Sequence, residues 1–302
     1  MVSYFRYLIV GLVVSFAFVV CAQQDSTPES YTKKVLIEAK WGNELGEFQL
    51  GPFEEVRGFS SSMTVDKEGS IYIADIYTCK INVFSPNGNF LYDIQLSNTE
   101  FSVRGAMTVD SKVQILYLMV RDNKKARPAI AEINLKTKKV VNSYAIPAGI
   151  GAINFYNNMD GGIYVWSRPA LRPQTSDLIQ GFVPLEKYTA EVNNKNADAI
   201  LSKSAIVDTG AFTKGLWARG ILLNGLKAYV DGVEQKRVIY QNGKGQTKCT
   251  VYLLSSIWGS GEKETYITSS NNIAFDYHLN CYQIVGSDEG LKVIKYTPVE
   301  VK

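Results

Sequence analysis

Residues 63–96, MTVDKEGSIYIADIYTCKINVFSPNGNFLYDIQL, spell out four short strands in succession, and few folds are open to a chain containing such a unit. Met63-Thr64-Val65 is a short apolar run closed by Asp66-Lys67-Glu68-Gly69. Ile71-Tyr72-Ile73-Ala74 is β-branched, aromatic or small, and it stops at Asp75. Ile81-Asn82-Val83-Phe84 alternates at period two. Ser85-Pro86-Asn87-Gly88 is a turn in which Pro86 presets φ and Asn87 and Gly88 tolerate positive values. Phe90, Leu91 and Ile94 supply the fourth strand. No window here has the three-to-four spacing of an amphipathic helix. A single four-stranded meander leaves two open edges and cannot cover both of its faces, so several must pack around a common axis.

The stretch from Trp41 to Leu96 resembles an NHL-type propeller repeat. That pattern has a Gly-Pro lead-in, an apolar-Val-Asp strand, a Gly turn, an Ile-Tyr-Val-Ala-Asp strand, and a strand ending in Val-Phe before another Gly turn. Here the elements are Gly51-Pro52, Met63-Thr64-Val65-Asp66, Gly69, Ile71-Tyr72-Ile73-Ala74-Asp75, Ile81-Asn82-Val83-Phe84 and Gly88. The match covers about one repeat. Cys79 and Lys80 stand where the family commonly has Asn or Arg before the third strand. The resemblance implies a β-propeller and carries over no catalytic residue.

The unit recurs to the C-terminus. Taking the second strand as landmark, Tyr72 is followed by Tyr117, Tyr164, Tyr229 and Phe275, at spacings of 45, 47, 65 and 46 residues. Blades of a propeller repeat at roughly 40–50 residues. In the last unit Ile273 to Val285 reads as strands, Ser287-Asp288-Glu289-Gly290 as the counterpart of the Ser85–Gly88 turn, and Leu291 to Ile294 as the fourth strand. The expected fold is all-β, a propeller of four-stranded antiparallel blades. Six blades are expected, with Lys34 to Ala39 and the surplus before Tyr229 filling the sixth; five is the alternative. Val35 to Ala39 is expected to pair into the last blade, because a ring closes only when its ends share a sheet.

Residues 1–22 read as an export signal: Arg6 is the only charge, and an apolar run follows from Tyr7 to Val20. That run is short for a membrane span. Val20-Cys21-Ala22 suits cleavage after Ala22, or else Cys21 is a lipidated N-terminus. Residues 23–32 form a polar tether, and 33–302 a single propeller domain. The expected address is exported: periplasm, cell surface or outer-membrane lipoprotein, with membrane contact only through Cys21.

Charge excludes one class of partner. Without Arg6 the 32 basic residues become 31 against 29 acidic, a balance of +2. Nothing in that balance attracts nucleic acid. The basic stretch Arg121-Asp122-Asn123-Lys124-Lys125-Ala126-Arg127 reads as a solvated turn, and Lys136-Thr137-Lys138-Lys139 as a hairpin tip.

One segment breaks the pattern. Residues 167–181 contain Arg168-Pro169 and Arg172-Pro173, and proline donates no ladder bond. They read as an inserted loop, longer than a usual hairpin, offering Arg168 and Arg172 to an anionic ligand or forming a bare surface excursion.

Catalytic chemistry is constrained by one histidine, His278. Zinc-dependent propeller lyases need several. An antibiotic-opening lyase or a Ser-His-Asp triad would depend on His278 alone, which is placed between the second and third strands of the last blade, and no Gly-x-Ser-x-Gly elbow occurs. A calcium-dependent propeller hydrolase or lyase could use carboxylates instead. Asp66 and Asp110 are the candidate metal ligands, with Asp75, Asp231 and Asp276 at related positions. Repetition favours another role: an Asp ending equivalent strands caps a turn.

Cys79, Cys249 and Cys281 remain after Cys21. Cys79 and Cys281 occupy comparable places in the first and last units, but packed sheets stand about 10 Å apart and a bridge needs Cα atoms within about 7 Å. Cys249–Cys281 is the better-placed pair; three buried free thiols are expected otherwise. The function expected from all this is a non-catalytic exported propeller, without cofactor, that binds a protein, peptide or glycan. The alternative is the calcium-type enzyme with its site in the central channel.

Overall fold

The computed structural model describes residues 31–49, 61–146, 150–157, 163–169, 181–184, 220–223, 226–231, 237–242, 244–253, 273–287 and 289–299. These residues build nineteen strands, and no helix occurs among them. In chain order they are β1 (Tyr31–Ala39), β2 (Ser61–Val65), β3 (Ile71–Asp75), β4 (Lys80–Phe84), β5 (Phe90–Gln95), β6 (Phe101–Asp110), β7 (Ile115–Asp122), β8 (Arg127–Asn134), β9 (Lys139–Ala145) and β10 (Ile150–Asn157). There follow β11 (Ile163–Pro169), β12 (Gly181–Pro184), β13 (Gly220–Leu223), β14 (Leu226–Asp231), β15 (Arg237–Gln241), β16 (Thr247–Tyr252), β17 (Ile273–Phe275), β18 (Cys281–Ser287) and β19 (Gly290–Pro298).

They pair into five antiparallel sheets. β2–β5 form the first, β6–β9 the second, β10–β12 a three-stranded third, and β13–β16 the fourth. The last sheet runs β17-β18-β19-β1, so its outermost strand comes from the N-terminal end of the chain, with Val35 opposite Ile294 and Ala39 opposite Leu291. The expected pairing of Val35 to Ala39 into the last unit is therefore observed. Sequential meanders of this kind are the blades of a β-propeller. The leading strands stand side by side, β17 next to β2, β2 next to β6, β6 next to β10 and β10 next to β13.

Cores lie between consecutive sheets. Ile81, Val83 and Ile94 of the first pack on Leu116, Leu118 and Ile133 of the second. The first sheet's other face, with Met63, Ile73 and Phe84, packs on Tyr282, Ile284 and Val293 of the last. Being covered on both faces, β3 and β4 are buried at every residue, whereas the outermost β5 is half-exposed. That explains why β3 reads as a near-continuous apolar run.

The last sheet corrects the sequence reading by one strand. Phe275 lies in the leading strand β17, and the second-strand landmark is Tyr282 in β18. Residues 287–290 join the second and third strands, and Leu291–Ile294 belongs to the third. Only three strands are local because β1 supplies the fourth. His278 accordingly lies in the first-to-second turn, and Cys281 begins a second strand while Cys79 precedes a third. Arg168-Pro169 is also reassigned: it ends β11, where β10 pairs opposite but β12 reaches only as far as Ser167. A proline is tolerated where one side of the ladder is open. The inserted connection thus starts at residue 170.

Four hairpins share one turn. In each, the first residue's N–H meets the carbonyl four residues on, and the fourth residue has positive φ: Gly69 at 87°, Gly88 at 88°, Gly245 at 77° and Leu279 at 64°. The three glycines announce the turn in the sequence. Leu279 does not. Its strain, about 1–2 kcal/mol, is offset by a buried side chain and by Tyr240 Oη donating to its carbonyl at 2.9 Å.

Candidate functional site

The repeat carboxylates are held by their own turns. Asp66 accepts Ser70 N–H at 2.7 Å and Tyr72 Oη at 3.0 Å. Asp276 has the same relation to Tyr282 Oη, at 2.8 Å, and also accepts the N–H of His278 and Asn280 and the Asn280 amide at 2.6 Å. Both pairs are six residues apart and link the end of a leading strand to the next strand. Asp110 accepts Lys112 N–H, and Asp122 accepts Lys125 N–H while pairing with its ammonium at 3.4 Å. Asp231 ends β14. Burial raises the pKa of Asp66, against the pull of the Ser70 and Tyr72 donors. Burial, and then the Asp66 charge, push Tyr72 far above its usual range.

Three of these turns come together at one end of the sheets. Lys67 N–H donates to Ser111 Oγ at 3.2 Å, joining the first and second sheets' turns. Tyr277 of the last sheet is raised in pKa by burial and by the charges of Asp110, Glu68 and Asp66. The candidate pair Asp66 and Asp110 is thus brought into one neighbourhood, with Glu68 added. Among the described residues no three His, Cys, Asp or Glu side chains are arranged to hold a metal ion. His278 is exposed, and no serine or carboxylate side chain is hydrogen-bonded to its ring among the described residues.

The opposite end carries a feature that sequence reasoning missed. After β1, residues 40–49 fold into a strap over the first sheet, closed by Gly42 N–H to the Phe48 carbonyl at 2.9 Å and by Phe48 N–H to the Lys40 carbonyl at 3.2 Å. Phe48 is fully buried and stacks on Phe84 with centroids 6.3 Å apart. Three first-sheet side chains pin the strap. Asp75 accepts Gln49 N–H at 2.9 Å as well as Tyr77 N–H, Lys80 Nζ donates to the Glu44 carbonyl at 3.2 Å, and Asn82 Nδ2 donates to the Glu47 carbonyl at 3.0 Å. Read alone, Lys-Ile-Asn-Val-Phe is a strand with polar residues facing water. The partners that bury them lie 26 to 36 residues upstream, and only the exposed-looking but buried Lys80 could have hinted at them.

β11 ends and β12 begins at this same end, where β3 and β7 likewise end and β4 and β8 begin. Arg168 lies within β11; Arg172, the rest of 170–180 and Cys21 lie outside the described residues. Cys79, Cys249 and Cys281 are buried, and none of the three forms a disulfide. Burial and the nearby Asp276 raise the Cys281 thiol well beyond its ordinary range, which makes it unreactive.

No protein-family model matches the sequence, and no curated protein matches it. Among solved structures, the chain is similar to catalytically inactive virginiamycin B lyase from Staphylococcus aureus with quinupristin, at 9% identity over 90% of this chain and 96% of that one, TM-score 0.33. It is similar to a protein of unknown function from Bacteroides caccae at 14% identity over 65% and 62%, TM-score 0.29. It is also similar to the β-propeller domain of Myceliophteria thermophila Cps50 (Swd1) at 8% identity over 76% and 62%, TM-score 0.26. Scores this low carry no residue role or activity across.

Proposed function

We propose that this chain is a non-catalytic binding module, an NHL-like propeller that engages a protein, peptide or glycan at the cell envelope. The observation that carries it is the commitment of the repeat carboxylates. Asp66, Asp75, Asp110, Asp122 and Asp276 each accept hydrogen bonds within their own turns. Side chains spent on turn geometry hold loops in place and leave recognition to what the loops display. The longest second-to-third connection, residues 170–180, replaces the short turns at 76–79 and 123–126. Arg172 within it and Arg168 at its root offer forked donors to a carboxylate or phosphate, on a backbone stiffened by Pro169 and Pro173.

The leader at 1–22, with cleavage after Ala22 or lipidation at Cys21, delivers a propeller spanning 33–302. Six blades, with five the alternative, would draw the sixth from the surplus before Tyr229 alone, since Lys34 to Ala39 pairs into the last sheet.

Replacing residues 170–180 by a Gly-Ser linker, and separately Arg168→Ala and Arg172→Ala, tests the binding role. The melting temperature should stay unchanged while capture of the envelope partner is lost; undiminished capture by all three variants rejects the loop as the contact. A calcium-dependent enzyme drawing on Asp66 and Asp110 is the second reading. A calcium-induced rise in melting temperature that Asp110→Asn abolishes would establish it.

A further inference from the structure

The face of the first sheet beneath the strap has polar capacity that strap-pinning does not use. Register sets Lys80 between Asp75 and Gln95, and Asn82 between Ile73 and Asp93. Ile81 and Ile94 turn to the opposite face, into the core with the second sheet, so Lys80, Asn82, Asp93 and Gln95 share the strap side. Lys80 is 4% exposed, has three donors, and spends one on the Glu44 carbonyl. No carboxylate forms an ion pair with it among the described residues. Fully buried Asn82 gives its Nδ2 to the strap and leaves Oδ1 without a partner. Thr78 Oγ1, in the adjoining turn, is the second such buried side-chain atom. Half-buried Asp93 adds a carboxylate beside Asn82.

Unmatched buried polar atoms in a folded protein call for a partner. Spare donors on Lys80 share this face with spare acceptors on Asn82 and Asp93, and Thr78 lies two residues before Lys80 in the turn that leads into it. An anion would meet Asp75, Asp93 and the strap's Glu44 and Glu47; a cation would meet Lys80. A neutral group whose every oxygen both donates and accepts satisfies both sides, and neighbouring sugar hydroxyls are such groups.

The strap itself supplies access. Its foot is fixed by Phe48, but its tip, Asn43-Glu44-Leu45, is exposed and flanked by Gly42 and Gly46, the latter at φ 79°. The tip is tied by the Lys80 contact and by Glu44 N–H to Glu47 Oε2 at 3.0 Å. Resting on the binding-module proposal and narrowing its ligand to a glycan, we propose that the strap tip is a flap over a saccharide-binding position formed by Thr78, Lys80, Asn82 and Asp93.

Calorimetric titration of the full mature protein with glucose, galactose, mannose, xylose and N-acetylglucosamine tests this. At least one sugar should give saturable heat and slow acylation of the Lys80 amine. Asp93→Ala, on the half-exposed outer strand, and Thr78→Val should each weaken that sugar about tenfold at unchanged melting temperature. Absence of heat with every sugar overturns the proposal, as does binding that both variants leave intact, or one ordered water satisfying Asn82 Oδ1 and Lys80 with the tip unmoved by sugar. Capture that still depends on residues 170–180 while no sugar binds sinks the flap and leaves the binding-module proposal standing.

Discussion

The first and last sheets use the same lock and obtain their strands in different ways. Each ties the carboxylate closing its leading strand to a tyrosine six residues on, Asp66 to Tyr72 and Asp276 to Tyr282. The first sheet is a continuous meander from Ser61 to Gln95, with every partner within 35 residues. The last is assembled from residues 273–298 and from β1, across almost the whole chain. Its lock is also more heavily built. Asp276 collects four hydrogen bonds and stands 3.9 Å from Lys295 Nζ, where Asp66 is held by Ser70, through backbone and side chain, and by the Tyr72 hydroxyl. A sheet closed by a distant strand has a stronger local clamp than one closed by its neighbours.

Deleting residues 31–39 should break the comparison most severely. It strips β19 of its outer partner and opens a long edge, so the product should aggregate or show no cooperative melting transition. A deleted protein melting at the wild-type temperature would mean that β1 contributes nothing to the last sheet's stability.

The next largest effect probes where the two sheets touch. A methyl at Gly88, in the first sheet's turn, would collide with the Leu36 carbonyl of β1, whereas Gly245 at the same turn position has open space around it. Gly88→Ala should cost about 2–4 kcal/mol in denaturant titrations, and Gly245→Ala about 1–2 kcal/mol for the left-handed backbone alone. Equal losses would show that β1 does not approach the first sheet so closely.

The clamps themselves come third. Asp276→Ala strands the Tyr282 hydroxyl and the Asn280 amide in a buried setting and should cost about 2–4 kcal/mol, against about 1–3 for Asp66→Ala. Reversal of that order, measured by urea unfolding, would refute the stronger clamp.

The smallest effect is a matter of pH. Burial raises the folded-state pKa of Asp66, so its contribution is complete below the unfolded value of about 4 and is lost as pH rises through the folded value. Asp122 is displaced the other way: burial works against it, but the Lys125 N–H and ammonium hold its pKa down. Its contribution is present above the unfolded value and lost on acidification. The stability advantage of wild type over Asp66→Asn should shrink with rising pH in that window, and that over Asp122→Asn should grow. Matching slopes for the two variants would contradict these assignments.

The same contrast explains what the sequence made legible. Strands and turns of the first sheet could be placed nearly to the residue, because Gly69, Gly88 and the Ile71–Asp75 run sit beside the partners they specify. The last sheet was displaced by one strand because Ile273-Ala274-Phe275-Asp276 imitates the end of a second strand, while its turn residue is Leu279 where a glycine would have given warning. The capping role of the aspartates was readable from their recurrence. The strap was not: Lys80 and Asn82 become buried through backbone carbonyls, which carry no side-chain signature, in a segment some 35 residues away.

The pairing of β1 with β19 also bears on the order of folding. The first of the described strands is the one that can be placed last, since Tyr31 must wait for Pro298 before its ladder exists. Contacts so far apart in sequence carry a loop-closure penalty that local meanders avoid. Until then β1 is an unpaired, half-apolar segment with its edge open to any passing strand. A truncated or stalled chain would hold well-formed early sheets and a β1 with no partner of its own, so the hazard of misassociation is concentrated in the nine residues that complete the last sheet.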